Sequence, residues 1–144
     1  VPQESTVPQP SQPRWMTYTG WFFTLLIFGT LLFSAWMKFS VVLKIGPWED
    51  AAKEFSSLGI SPETMAMIGG VEVVCALLYL FPRTAILGAV LLQGYLAAAF
   101  CTHLIARERN PAAEFELAPL IVAALMWLGI LLREPRLRAI MFWR

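Results

Sequence analysis

Among 144 residues, Lys and Arg number 11 and Asp and Glu 10, a net charge of +1, while 58% of the chain is hydrophobic. With a mean hydropathy of +0.62, this composition excludes an ordinary soluble domain, and the chain has no basic stripe of the kind that holds nucleic acid. Length and composition allow one domain, placed in a lipid bilayer.

The opening stretch, VPQESTVPQPSQP, is rich in Pro, Gln and Ser and has too little apolar surface to offset the entropy of ordering it. Residues 1–15 are read as a disordered tail, and 16–144 as a single transmembrane domain. Four apolar runs follow: Trp21–Leu43, Met65–Phe81, Ala85–Ala106 and Phe115–Leu132. Each is near the roughly 20 residues that cross about 30 Å of hydrocarbon. With a borrowed turn they give spans at about 21–43, 62–81, 84–106 and 115–132. The first is too long and too aromatic for a cleaved signal sequence. Only Phe81-Pro82-Arg83-Thr84 separates the second and third runs, which forces a tight helical hairpin. There is no period-2 pattern for a barrel, so lipid leaves the helical option. The expected fold is all-α: a polytopic membrane protein built as an antiparallel four-transmembrane-helix bundle.

Between the first two spans, GPWEDAAKEFSSLG (46–59) reads as a short amphipathic helix in the first outer loop. Pro47 suits the first helical position, and Glu49 and Asp50 favour the positive end of the helix dipole. Trp48, Ala51, Ala52, Phe55 and Leu58 share one face, and Gly59 ends the helix. Such a helix rests on headgroups or caps the bundle mouth. Ser61-Pro62 supplies the N-cap and first-turn proline of the next span. Orientation follows from basic residues. Arg14, Arg83, Arg133, Arg136, Arg138 and Arg144 fall on one side, and Lys44, Lys53, Arg107 and Arg109 on the other. This bias puts both termini in the cytoplasm, in a multi-pass protein of the inner (cytoplasmic) membrane. Loops Ile45–Ser61 and Arg107–Glu114 then face outward.

Three of the four runs each carry one ionisable group: Lys38, Glu72 and His103. A charge in hydrocarbon costs several kcal/mol, from about 2.5 upward, unless it meets a partner or water. Thr30, Ser34 and Lys38 recur every four residues and form a stripe. Met65, Gly69, Glu72, Cys75 or Ala76, and Tyr79 share a face of the second span. Gly88, Tyr95, Ala99, Thr102 and His103 share one on the third. The fourth span has no mid-helix charge and reads as a packing helix, with Glu114 and Glu116 at its outer end. Counting 1.5 Å per residue puts Glu72 roughly 15 Å, and Lys38 and His103 about 5–10 Å, below the outer boundary. Ser34, Lys38, Glu72 and His103 are thus the candidate ligand-binding or proton-relay residues. A Lys38–Glu72 contact that only fixes helix register is the alternative, and no catalytic residue is assigned. One His and no Cys/His cluster argue against a metal. Cys75 and Cys101 differ too much in depth for a disulfide and read as free thiols.

FSAWMKF (Phe33–Phe39), EFSSLGISPE, GGVEV (Gly69–Val73), FPRTAILGAVLL, GYLAAAFCTHL (Gly94–Leu104) and WLGILLREPRLRAI together resemble the DoxX-like family of small four-helix integral membrane proteins. The resemblance implies the same bundle and a polar set of Ser34, Lys38, Glu72, Arg83 and His103. The chain departs from the family pattern at Ala97-Ala98 and Ser34-Ala35, where glycines are common, and closer methyl packing would narrow the interior. Two functions follow as expectations. One is an accessory subunit of a larger membrane complex, contacting lipid and other membrane subunits and holding no intrinsic cofactor. The other, implied by relatives similar to thiosulfate:quinone oxidoreductase components, is a quinone-interacting oxidoreductase component that needs a separate redox partner.

Overall fold

The computed structural model describes residues 13–46, 48–109 and 116–142. The expected tail therefore lies, over 1–12, outside the described residues, as do Pro47 and residues 110–115, which hold part of the second outer loop and the start of the fourth apolar run. Every described element is a helix: α1 Arg14–Leu43, α2 Trp48–Ser57, α3 Pro62–Leu80, α4 Ala85–Arg109, α5 Ala118–Arg133 and α6 Pro135–Phe142. Three of them, α1, α3 and α4, are long and apolar enough to cross a membrane; α5 is apolar but has 16 residues. They are apolar around most of their circumference, which suits helices with lipid on one face and neighbours on the other.

Local chemistry sets the ends. At the end of α1, Lys44 adopts the left-handed conformation (φ 54°) and its N–H returns to the Ser40 carbonyl, an αL cap. Gly59, at φ +73°, closes α2. Ser61 caps α3, its hydroxyl accepting from the Thr64 N–H at 3.3 Å, with Pro62 in the first turn. In the α3–α4 turn the Thr84 hydroxyl donates to the Leu78 carbonyl at 2.8 Å. The loop helix, the Ser61-Pro62 start and the tight turn all stand where the sequence places them. Two ends do not. α1 begins at Arg14 rather than near Trp21. Its first turns carry polar residues and exposed Trp15 and Tyr18, fit for a headgroup layer, so hydropathy undercounts the helix. And α6 follows Glu134, with Pro135 opening it and Leu137 buried against the core.

α1 packs against α3 and α5, and α4 packs against the same two, around Ile27, Leu31, Ala76, Tyr79, Leu92 and Met126. The buried residues of α3 are Met65, Gly69, Glu72, Cys75, Ala76 and Tyr79, the very face that periodicity selects. Close approach depends on glycine. A Cβ on Gly88 would collide with the backbone of Leu78 and Tyr79, and one on Gly20 would sit 2.7 Å from the Arg133 nitrogen.

Arg133, counted from sequence only as a topology-setting charge, is buried. Its Nη2 donates to the Tyr79 carbonyl at 2.6 Å, one of the unpaired carbonyls at the C-terminal end of α3. The guanidinium carbon lies 4.8 Å from the Trp21 ring centroid and 5.2 Å from that of Tyr79. Among the described residues Nε and Nη1 have no hydrogen-bond partner and no salt bridge to Arg133 is formed, so two aromatic faces meet the charge. This joins α1, α3 and α5 at the end of the bundle opposite α2.

Two outcomes follow. Arg133→Lys keeps the charge but loses the planar group that reaches a carbonyl and two rings; a loss of about 1–3 kcal/mol is expected, read as a lower unfolding temperature in detergent. Gly88→Val should cost at least about 1–3 kcal/mol through overpacking, seen as aggregation or loss of the monodisperse peak on size exclusion.

Candidate functional site

Lys38 and Glu72 meet between α1 and α3. Lys38 Nζ lies 3.0 Å from Glu72 Oε2, and the side chains are 11% and 1% exposed. The ammonium also donates to the Ser34 hydroxyl at 2.6 Å, one turn earlier on its own helix. Small residues bring the helices this close. Ala35 is buried, and Gly69 is so near that an added Cβ would stand 3.3 Å from the Lys38 Cβ and 3.6 Å from the Ala35 carbonyl oxygen. Glu72 is three residues beyond Gly69, so it shares the face that glycine presses onto α1.

Tyr95, on α4, closes the cluster. Its ring centroid lies 6.0 Å from Lys38 Nζ, and it lines the same cavity as Glu72 and Ser34. Sequence periodicity puts Tyr95 on the His103 face, yet gives it no role because a tyrosine in a membrane helix carries no charge to draw attention. The signal available was its eight-residue spacing from His103, two helical turns along one stripe.

His103 belongs to a second pair. Its Nε2 lies 3.3 Å from Glu116 Oε2, with side chains 17% and 46% exposed. The imidazole's carboxylate partner is thus Glu116, just before α5, and not Glu72. The expectation of one inward cluster of amine, carboxylate and imidazole is replaced by two pairs on one cavity. That cavity, about 480 Å³, is lined by Ser34, Lys38, Glu72, Tyr95, His103 and Glu116, with apolar side chains between them. Phe55, Leu58 and Ile60 line it from the α2 side, so the loop helix covers the bundle rather than only resting beside it. Of the alanines expected to narrow the interior, Ala97 is exposed, Ala98 stands at the cavity's exposed rim, and Ala35 is buried between α1 and α3.

Arg83 stands apart, exposed in the α3–α4 turn. Cys75 is buried and Cys101 exposed, both as free thiols. Chemically, the cavity offers Lys38, Tyr95 and His103 as donors and two carboxylates as acceptors, set in an apolar surround. Removing the ammonium alone would strand a buried carboxylate, a change that costs about 3–5 kcal/mol in comparable pairs.

Searches of curated proteins and of solved structures found no match. A family model does match, over residues 28–129, a segment that runs from the middle of α1 to near the end of α5 and contains the Lys38–Glu72 and His103–Glu116 pairs. The apolar helices, the Lys38–Glu72 pair and that match make this a membrane protein, and the chain belongs to the DoxX-like family.

Proposed function

We propose that this protein is a small subunit of a larger membrane complex that binds the ring of a quinone in the cavity beside Lys38 and Glu72. The reading includes four antiparallel spans, formed by α1, α3, α4 and α5, in the cytoplasmic membrane with both termini inside. The cavity then lies in the outer half of the bilayer beneath α2. The observation that carries it is a cavity of about 480 Å³ whose lining is apolar except for a few convergent polar groups, the usual make-up of a small-molecule site.

The residues fit a quinone. Its ring needs a flat apolar slot and donors for two carbonyl oxygens; Leu31, Ile68 and Leu96 supply the first and Lys38, Tyr95 and His103 the second. When bound, a quinone supplies two-electron, two-proton chemistry, with the electrons coming from a partner. Lys38 orients a carbonyl while Glu72 and Tyr95 hold or accept a proton at the same wall. His103 and Glu116 connect that wall with water, since the Glu116 carboxylate is 46% exposed.

A purely accessory role, without ligand chemistry, is the second reading. One observation favours it: the Lys38 ammonium already has two partners, Glu72 and Ser34, and so holds α1 to α3 without a ligand.

Tyr95→Phe, which leaves the Lys38–Glu72 pair intact, separates the two. The quinone reading expects about tenfold weaker binding of a quinone probe at unchanged membrane abundance. Reduced abundance or lost co-purifying subunits with intact probe binding favours the accessory role. Topology is tested by cysteine labelling in intact cells: Lys53→Cys should react with an impermeant maleimide, and Arg136→Cys only after permeabilisation.

A further inference from the structure

The cavity's two boundaries differ in kind. Towards α2 it is covered by Phe55, Leu58 and Ile60 and flanked by the His103–Glu116 contact. Ala51, fully buried, anchors α2 there, while Glu49, Asp50 and Lys53 face away from the bundle. Towards the middle of the helices the cavity is open sideways. Thr30 and Phe33 on α1 and Ala98 on α4 line it, and all three are exposed, Phe33 at 66%.

Depth decides what that opening faces. Phe33 stands about 15 Å and Thr30 about 20 Å along α1 from its end at Leu43. Across a hydrocarbon layer of about 30 Å these positions meet acyl chains, not water. From this rim a polar track leads inward, because Thr30, Ser34 and Lys38 succeed one another one turn apart on the same face of α1. A ligand arriving from water must part the His103–Glu116 contact and shift three apolar side chains. One dissolved in the bilayer meets neither barrier.

Building on the quinone-type reading, we propose that the site is loaded laterally from the bilayer, through a portal beside Thr30 and Phe33, and that its ligand carries a long apolar tail. The ring moves along the Thr30–Ser34–Lys38 track to the Lys38–Glu72 pair, and the tail stays in the portal between α1 and α5. Tail contacts with Phe33, Pro119 and Val122 add apolar burial that a bare ring lacks. Soluble ring compounds are therefore poor ligands for this site.

The test uses the full chain in nanodiscs of phosphatidylethanolamine and phosphatidylglycerol, with binding to empty discs subtracted. A tritiated benzoquinone with a decyl tail is the probe, competed by the same ring with and without the tail. Lateral loading predicts at least about tenfold weaker competition by the tailless ring. Thr30→Trp should slow association of the tailed probe, and Lys53→Ala on the outward face of α2 should leave it unchanged. A diazirine at the tail's end, photolysed on the unmodified protein, reports the route even if the tryptophan variant misfolds, and should label residues of α1 near Phe33 or of α5 near Val122. Equal competition by both rings, or labelling of α2, overturns the portal and leaves the quinone reading standing. No saturable binding of either compound removes both.

Discussion

A lysine ammonium and a glutamate carboxylate held 3.0 Å apart, with the carboxylate 1% exposed, govern this molecule. Neither charge is affordable alone at that depth, and the desolvation of both exceeds their attraction unless further hydrogen bonds are made. Ser34 accepts one from the ammonium, and the Tyr95 ring of α4 stands 6.0 Å from it. The pair therefore dictates which faces of α1, α3 and α4 turn inward, and Gly69 is the concession that lets α1 come near enough. A side chain at Gly69 would press on Lys38 Cβ and move the ammonium before it touched anything else.

The opposite end solves the same electrostatic problem by other means. Arg133 is held by a backbone carbonyl and two aromatic faces. A guanidinium suits this treatment because it is planar and weakly hydrated, whereas an ammonium is a compact, strongly hydrated charge. The two solutions are thus not interchangeable. A lysine beside Trp21 and Tyr79 would keep its hydration demand, and an arginine in place of Lys38 would overfill the space against Gly69 and Ala35.

What the sequence reveals follows from what each signal measures. The buried face of α3 is legible because one carboxylate among apolar residues, with glycine and small residues at helical spacing, allows only one inward side. The Lys38–Ser34 contact is legible for the same reason, as an i, i+4 pair on one helix. The partner of His103 is not, because Glu116 sits at a helix boundary where a carboxylate reads as a solvated end group. Arg133 is hidden in a run of arginines, and its burial depends on Gly20 and Gly129, which lie more than a hundred residues apart in sequence. Hydropathy locates the apolar length of α1 but not its true start, since Arg14 to Gly20 are helical without being greasy. No local pattern encodes a cavity, which is a property of helices that fail to touch.

That failure to touch has a physical origin in where the glycines lie. At the Arg133 end, Gly20 and Gly129 bring α1 and α5 into backbone contact and Gly88 brings α4 onto α3, so all four helices are drawn together. Towards α2, only Gly69 acts this way, and it joins only α1 to α3. α5 meets that region with Pro119 and Val122, whose side chains hold helices apart rather than admitting a neighbour's backbone. Helices pinned at one end and spaced by side chains at the other enclose space at the second. The charges then set the character of that space: Lys38 and Glu72 make one wall polar, while Thr30, Phe33 and Ala98 at its exposed rim carry no charge.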